Sequence, residues 1–262
     1  MVTRININAD MGEGYGHYQI GDDAAILTIV KSVNLACGFH AGDATVMHDV
    51  CMQAKELGVS VGVHPGFNDL WGFGRRRIDM SPRDLEYMVA YQIGALKGMA
   101  KYAGIEITHL KPHGALNNMA ADDPEYALAI ARAIKTVDPS IYYLALSNSE
   151  MEKAALKLDV PLAREAFIDR QYTADGNLAS RKNPDSMIRD PKVAAERAVR
   201  MVMDQEIVAI DGTKMPTPFD SLCIHGDEPT AITVARAARD AMVEAGIEIV
   251  TLPEVMAAKE AA

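Results

Sequence analysis

Cysteine is nearly absent: Cys37, Cys51 and Cys223 are odd in number and form no C-x-x-C pair. That excludes a disulfide framework and a thiolate-built structural zinc site, so reduced thiols are expected. Basic runs are equally scarce, and a formal charge of -10 speaks against a nucleic-acid or anionic-membrane surface. Long hydrophobic runs are missing too. No segment approaches the roughly 20 apolar residues that span a bilayer, and the start, MVTRININAD, has no signal-peptide core. A cytoplasmic chain with small-molecule or protein partners is therefore expected. Finally, neither GEGYG nor GFG fits G-x-G-x-x-G, and G-x-x-x-x-G-K-[ST] does not occur, so nothing predicts that the chain binds ATP by itself.

What is present is ordinary globular material. With 262 residues, 49% hydrophobic and 24% charged, there is enough for one large core, and the length matches a single α/β barrel. The expected organisation is one β/α-barrel domain over residues 1–262.

Strand and helix patterns alternate along the chain. Arg4 to Asn8 alternates apolar and polar residues and runs into the loop Ala9 to Gly14. Asp22 caps a helix expected to reach Lys31, and Val33 to Cys37 is a second strand leading to His40 and Asp43. A helix from Asp43 to Gly58 follows, then a strand, Val59 to Val63, that ends at His64. The connection from Gly66 to Asp79 carries Asp69, Trp71 and three arginines, Arg75 to Arg77, one of which could bind an anion. Ser81 and Pro82 open a long helix to about Ala103. Further on, helices are expected at Asp122 to Val137, Glu150 to Leu158, Pro191 to Gln205 and Glu228 to Gly246. The matching strands are Ile141 to Leu146, Leu162 to Phe167 and Ser221 to His225. Ile207 to Ile210 is weakly β-like, and Ile247 to Leu252 could close the sheet. Residues 173–190 are polar and breaker-rich, an excursion or mobile lid.

The most informative stretch is Thr108 to Asn118, THLKPHGALNN. In extended backbone His109, Lys111 and His113 share one face while Leu110 and Pro112 share the other. Pro112 cannot donate to a ladder, so the strand should end there. The H-x-x-x-H spacing would serve one metal ion on a helix, but on a strand the two rings stand about 13 Å apart, too far for a single ion.

Alternation of strand and helix predicts a mostly parallel sheet, most simply a barrel of seven or eight units. Asp10, Glu13, His40, Asp43, His64, Lys111, His113, Glu165, Asp169, Arg170, His225 and Asp227 all fall at or just beyond predicted strand carboxyl ends. In a barrel those ends share one rim, where ligands bind.

Five of these loops together resemble one family. Residues 8–13 (NADMGE), 34–43 (NLACGFHAGD), 62–66 (GVHPG), 109–116 (HLKPHGAL) and 165–170 (EAFIDR) are similar to the LamB/YcsF family, the A subunit of bacterial 5-oxoprolinase. The likeness extends to His225-Gly-Asp227. One departure stands out: the family commonly has Tyr-Asn after Leu116, and here the pair is Asn117-Asn118.

The resemblance implies an irregular (β/α)7 barrel of the glycoside hydrolase/deacetylase type. It implies ATP-dependent opening of the lactam of 5-oxoproline to L-glutamate, with ATP as co-substrate of a complex containing separate B and C subunits. On this reading Lys111 or Arg170 holds the substrate carboxylate and His64 or His113 takes a proton from the attacking water. Asp10 orients that base or the water. Glu13, His40, Asp43, Glu165, Asp169 and His225 complete the substrate side. If a divalent metal is bound, Asp10, His64 and His113 are its expected ligands. Two readings stand beside this one: a stand-alone metal-dependent deacetylase or amidohydrolase on the same barrel, and a non-enzymatic subunit that binds a small carboxylate. Oligomeric state is left open.

Overall fold

The computed structural model describes residues 3–180, 183–225 and 230–261. Strands β1 (Arg4–Met11), β2 (Ser32–Ala36), β3 (Ser60–His64), β4 (Ile107–Leu110), β5 (Tyr142–Leu146) and β6 (Leu162–Phe167) follow one another in space as in sequence. A short antiparallel hairpin, β7 (Glu206–Val208) and β8 (Lys214–Pro216), lies off the main sheet, and β9 (Ser221–Ile224) then pairs with both β6 and β1. That double pairing closes an all-parallel seven-stranded β/α barrel, the irregular architecture expected. The last strand, β10 (Glu248–Ile249), in the segment Ile247 to Leu252 that could have closed the sheet, instead pairs with Arg4 and Ile5 at the start of β1. The weak β signal at Ile207 to Ile210 belongs to the hairpin.

Local chemistry sets most of the boundaries. Ser81 accepts the Asp84 N–H at 3.1 Å and Pro82 fills the first helical position, so the helix Pro82–Ala103 starts where expected. Asp43 caps Ala44–Leu57 through Thr45 and Val46, and Gly58 ends it at φ +63°. The helix after Asp22 is shorter than expected, Asp23–Leu27. The segment 114–137 holds two helices, Gly114–Asp122 and Pro124–Val137, because Pro124 cannot continue the first and Asp123 caps the second. Residues 173–190 contain only isolated bridges and a single 3-10 turn, Pro184–Ser186, among those described.

The barrel interior is polar. Along β1, Ile5, Ile7 and Ala9 face the helices while Asn6, Asn8 and Asp10 face inward, all of them buried. Asn6 Nδ2 donates to Ser32 Oγ and to the Val250 carbonyl, both at 2.8 Å. Ser221 Oγ donates to Asn6 Oδ1 at 2.6 Å, and Asn8 Nδ2 donates to Ser221 Oγ at 2.7 Å and to Glu165 Oε1 at 2.9 Å. Asn34 Nδ2 then bridges Asn8 Oδ1 at 2.7 Å and Asp10 Oδ1 at 2.9 Å. Register aligns Asp10 with Asn34, Asn34 with Gly62 and Gly62 with His109. A Cβ at Gly62 would collide with the His109 ring, so glycine there lets the imidazole cross the barrel to Asn34.

A column of this kind depends on every member being satisfied. Asn34→Leu would strand Asn8 Oδ1 and the His109 Nε2–H and remove one donor from Asp10. We expect a loss of about 2–4 kcal/mol in a urea melt, against less than about 0.5 kcal/mol for an exposed control such as Asn118→Ala.

Candidate functional site

The end of β4 builds the centre of the site. Pro112 interrupts hydrogen bonding, but the Lys111 and His113 N–H groups still donate to Val63 and Pro65 carbonyls, each at 2.9 Å. Extended backbone therefore continues past Leu110 and sends both side chains into the barrel mouth, where they meet groups from other strands.

Lys111 Nζ is buried, 2.9 Å from Asp10 Oδ1, 3.1 Å from Glu165 Oε1 and 2.9 Å from Cys223 Sγ, and 5.1 Å from the centre of the Phe167 ring. Burial alone would lower the Lys111 ammonium, but Asp10 and its other neighbours outweigh it and raise the group well above the ordinary lysine range. For Asp10, burial raises the carboxyl, and His64 and Lys111 together pull it well below the ordinary carboxylate range. Glu165 goes the other way: burial dominates and raises it despite the opposing pull of Lys111. An ion pair, Lys111 with Asp10, therefore stands beside a carboxyl biased toward neutrality.

Beside this pair lies a cluster of imidazoles and a second carboxylate. His64 Nδ1 is 2.7 Å from the Lys111 carbonyl and His113 Nε2 is 2.8 Å from the Phe73 carbonyl. A carbonyl only accepts, so each of those nitrogens carries the proton. The remaining nitrogens, His64 Nε2 and His113 Nδ1, face each other at 3.0 Å. Asp10 Oδ2 is 3.3 Å from the first and Glu13 Oε1 is 3.3 Å from the second. His40 stacks on His113 with ring centres 3.8 Å apart, and its Nε2 is 3.7 Å from Glu13 Oε1. Neither ring nitrogen of His40 has a hydrogen-bond partner among the described residues. Burial first, and neighbouring histidines next, hold His40 well below the ordinary histidine range; burial and His64 do the same for His113. Both are therefore neutral at pH 7.

Two lone pairs pointed at each other beside two carboxylates need a cation or a shared proton between them. Glu13, His40, His64 and His113 each offer a ligand atom, all within 4.8 Å of one another. Three imidazoles and a carboxylate suit a first-row divalent ion, and carbonyl-anchored ring N–H groups are the usual support for ligating histidines. This set shares His64 and His113 with the expected ligands and adds Glu13 and His40; Asp10 flanks it while bonded to Lys111.

The loop after β3 supplies the support. Phe73 has φ +54°, an uncommon conformation for a bulky residue. It directs its carbonyl to His113, and its ring meets His40 and His113 edge-on. Of the three arginines, Arg76 is paired with Asp69 and Arg77 with Asp79, while Arg75 passes 5.0 Å over the Phe73 ring and reaches the cavity.

That cavity has a volume of about 590 Å³ and opens above the cluster. Asp10, Lys111, His113, Phe167, Arg170 and His225 all line it. Residues 177–180 of the polar excursion form part of its wall, with the Ala179 carbonyl accepting from Arg170 Nη2 at 2.7 Å. Asp169 is buried and holds His225 twice, through Nδ1 at 2.9 Å and through the backbone N–H at 3.0 Å. Burial raises the Asp169 carboxyl, but His225 outweighs it and the group lies low.

The structure thus gathers Asp10, Glu13, His40, His64, Lys111, His113 and Glu165 at one centre, with Arg170 and His225 on the wall of the same cavity and Asp169 bonded to His225. Asp43 is not brought there: its carboxylate is committed to capping its helix and to the Gly16 N–H at 2.8 Å. Asp227 lies outside the described residues. Sequence reasoning missed Asn8, Asn34 and the Phe73 carbonyl. The two asparagines carry a signal, their alternation with apolar residues in β1 and β2, but a backbone carbonyl carries none.

A parallel β/α barrel with a buried histidine–carboxylate centre under a cavity at its strand carboxyl ends has the layout of a barrel enzyme. The model of the LamB/YcsF family matches residues 5–257. The 5-oxoprolinase A subunit of Rhodopseudomonas palustris (strain BisB5) is 48% identical over 94% of this chain and 98% of that relative. The 5-oxoprolinase A subunit of Gluconobacter oxydans (strain 621H) is 47% identical over 94% and 96%. Among solved structures, the lactam utilization protein of Thermus thermophilus is similar at a TM-score of 0.90, with 44% identity over 94% of this chain and 99% of that one. The chain belongs to the LamB/YcsF family. No helix among the described residues is long and apolar enough to cross a membrane.

Two outcomes follow from this electrostatic arrangement. Lys111→Met would leave Asp10 and Glu165 buried without their cation, and a urea melt should lose about 3–5 kcal/mol. His109 bears on pH: burial first, and Lys111 next, lower it to about 3. Its Nε2–H donates to Asn34 Oδ1 at 3.0 Å. Between about 6.5 and about 3 the unfolded chain binds a proton at this position that the folded chain refuses. Stability from His109 is therefore complete above pH 6.5 and lost as pH falls toward 3. His109→Gln should flatten the decline in ΔG of unfolding between pH 6 and pH 4 by up to about 1.4 kcal/mol per pH unit; an unchanged slope would refute the assignment.

Proposed function

We propose that this chain is the A subunit of an ATP-dependent 5-oxoprolinase, opening the lactam of 5-oxoproline to L-glutamate together with separate B and C subunits. The observation that carries the reading is the pairing of a buried histidine–carboxylate centre with a cavity that also presents cationic side chains. A lactam acid needs both: a polar centre for the amide carbonyl and cations for the carboxylate. The names of the relatives point the same way. The sequence contains no phosphate-binding glycine motif, so ATP is assigned to the assembly as co-substrate, handled with the partners.

Within this reading the substrate carboxylate lies toward Arg75 and Arg170, which line the cavity together with Lys111. Both ring nitrogens of His64 and of His113 are already committed, one to a carbonyl and one to the cluster. The proton carrier is therefore His225 rather than His64 or His113. Its Nδ1 is anchored by Asp169, leaving Nε2 to take a proton from water and return it to the departing ring nitrogen. Asp169 acts as the positioning residue. The assembly transfers the terminal phosphoryl group of ATP to the lactam carbonyl oxygen and releases ADP. Water then adds to the activated carbon, the C–N bond breaks with the proton relayed by His225 completing the free amine, and a second water hydrolyses the resulting acyl phosphate to glutamate and phosphate. A divalent ion held by Glu13, His40, His64 and His113 would supply Lewis-acid polarisation of the carbonyl.

The test is glutamate formation from 5-oxoproline by the chain alone and with the B and C subunits, with and without ATP, and with metal content measured on the same sample. Activity only in the full mixture supports the reading. Activity of the chain alone with a stoichiometric metal supports the stand-alone amidohydrolase instead. In the assembly, His113→Ala and His225→Ala should each lower kcat by about 10²–10⁴-fold, and only His113→Ala should lower bound metal.

A further inference from the structure

Asn117 places a carboxamide on the wall of the cavity. It sits in the first turn of the helix Gly114–Asp122, is only 7% exposed, and its side chain has no hydrogen-bond partner among the described residues. Its amide atoms are not among the fully buried polar atoms that lack a partner, so they are open to the cavity and free to meet a ligand. Its surroundings say where its partner would come from. Asn117 lines the same cavity as Asp10, Lys111 and His113, and its backbone N–H donates to the His113 carbonyl at 3.3 Å. Four residues apart on one helix face, the two side chains stand about one turn from each other. The carboxamide therefore opens into the cavity beside the histidine centre.

We infer that Asn117 reads the amide edge of a cyclic cis-amide substrate, pairing its own carbonyl and NH₂ with the lactam N–H and C=O. This rests on the lactam reading above and deepens it to a specificity-determining residue. A five-membered ring holds its amide cis, which places the N–H donor and the C=O acceptor side by side on one edge. Open-chain amides are trans and split those two groups onto opposite edges. A primary carboxamide carries one acceptor and two donors in the same side-by-side arrangement, as when asparagine reads a purine edge bidentately. Asn117 thus selects cyclic amides by geometry, leaving the cationic groups of the cavity to select for the acid. A site built to satisfy both hydrogen bonds discriminates strongly against an analogue lacking one of them.

The experiment compares binding of two probes by calorimetry, 5-oxoproline and its lactone analogue, 5-oxotetrahydrofuran-2-carboxylate, in which ring oxygen replaces N–H. The intact chain should prefer the lactam. Asn117→Leu should weaken 5-oxoproline binding by roughly 10–100-fold and bring lactam and lactone to within about 3-fold of each other. Asn117→Asp, which keeps the acceptor but meets the carbonyl with a second acceptor, should weaken both probes. Asn117→Ser removes the amide without adding bulk and carries the same comparison if Asn117→Leu does not fold. If Leu and Ser variants bind 5-oxoproline as tightly as the parent while assembled turnover is intact, the inference is overturned alone. A parent chain that neither binds 5-oxoproline nor supports its turnover overturns the lactam reading beneath it.

Discussion

The structure depends on one buried ammonium. Lys111 brings together Asp10 of β1, Glu165 of β6 and Cys223 of β9, joining four strands of the barrel, its own included, at one nitrogen. Desolvating a lysine this completely is costly, and only close carboxylates and a ring face make it tolerable. The arrangement in turn holds Asp10 ionised, and ionised Asp10 flanks the histidine cluster. Barrel closure and site electrostatics are thus one constraint rather than two.

The cluster shows how backbone groups settle side-chain chemistry. Carbonyls of Lys111 and Phe73 claim one nitrogen each from His64 and His113, so the free lone pairs face inward by default. Phe73 presents its carbonyl from a left-handed conformation. Local strain at that loop residue is therefore part of how the centre is kept in its tautomeric state.

Much of this was legible in the sequence. Strand–helix alternation and the recurring polar groups after each strand led to the barrel and to a shared rim, and Pro112 placed the end of β4 correctly. Asp43 shows the limit: it occupied the right position after a strand, yet helix capping also selects aspartate there, and spacing cannot separate the two roles. Closure by the seventh strand, β9, agrees with the seven-stranded barrel expected; what spacing left open is where the final strand pairs, since partner choice is set by curvature and register, not by residue type. The alternation in RININ was visible, but alternation ordinarily marks a strand with one wet face. Here the asparagine face is the buried interior of a barrel, a distinction that exists only after the sheet has closed.

That polar column has a further meaning for how the chain finds its fold. An apolar barrel interior tolerates sliding of neighbouring strands, because one aliphatic contact substitutes for another. Amides and hydroxyls do not interchange in this way: Asn8 must meet Asn34, Ser221 and Glu165 together, and Asp10 must meet Asn34 and Lys111. A two-residue slide of β1 would keep every side chain on its proper face and still break most of these pairs. A one-residue slide would turn Ile5, Ile7 and Ala9 inward. The interior therefore acts as a combination lock on shear, admitting one stagger of the strands and penalising its neighbours on both sides.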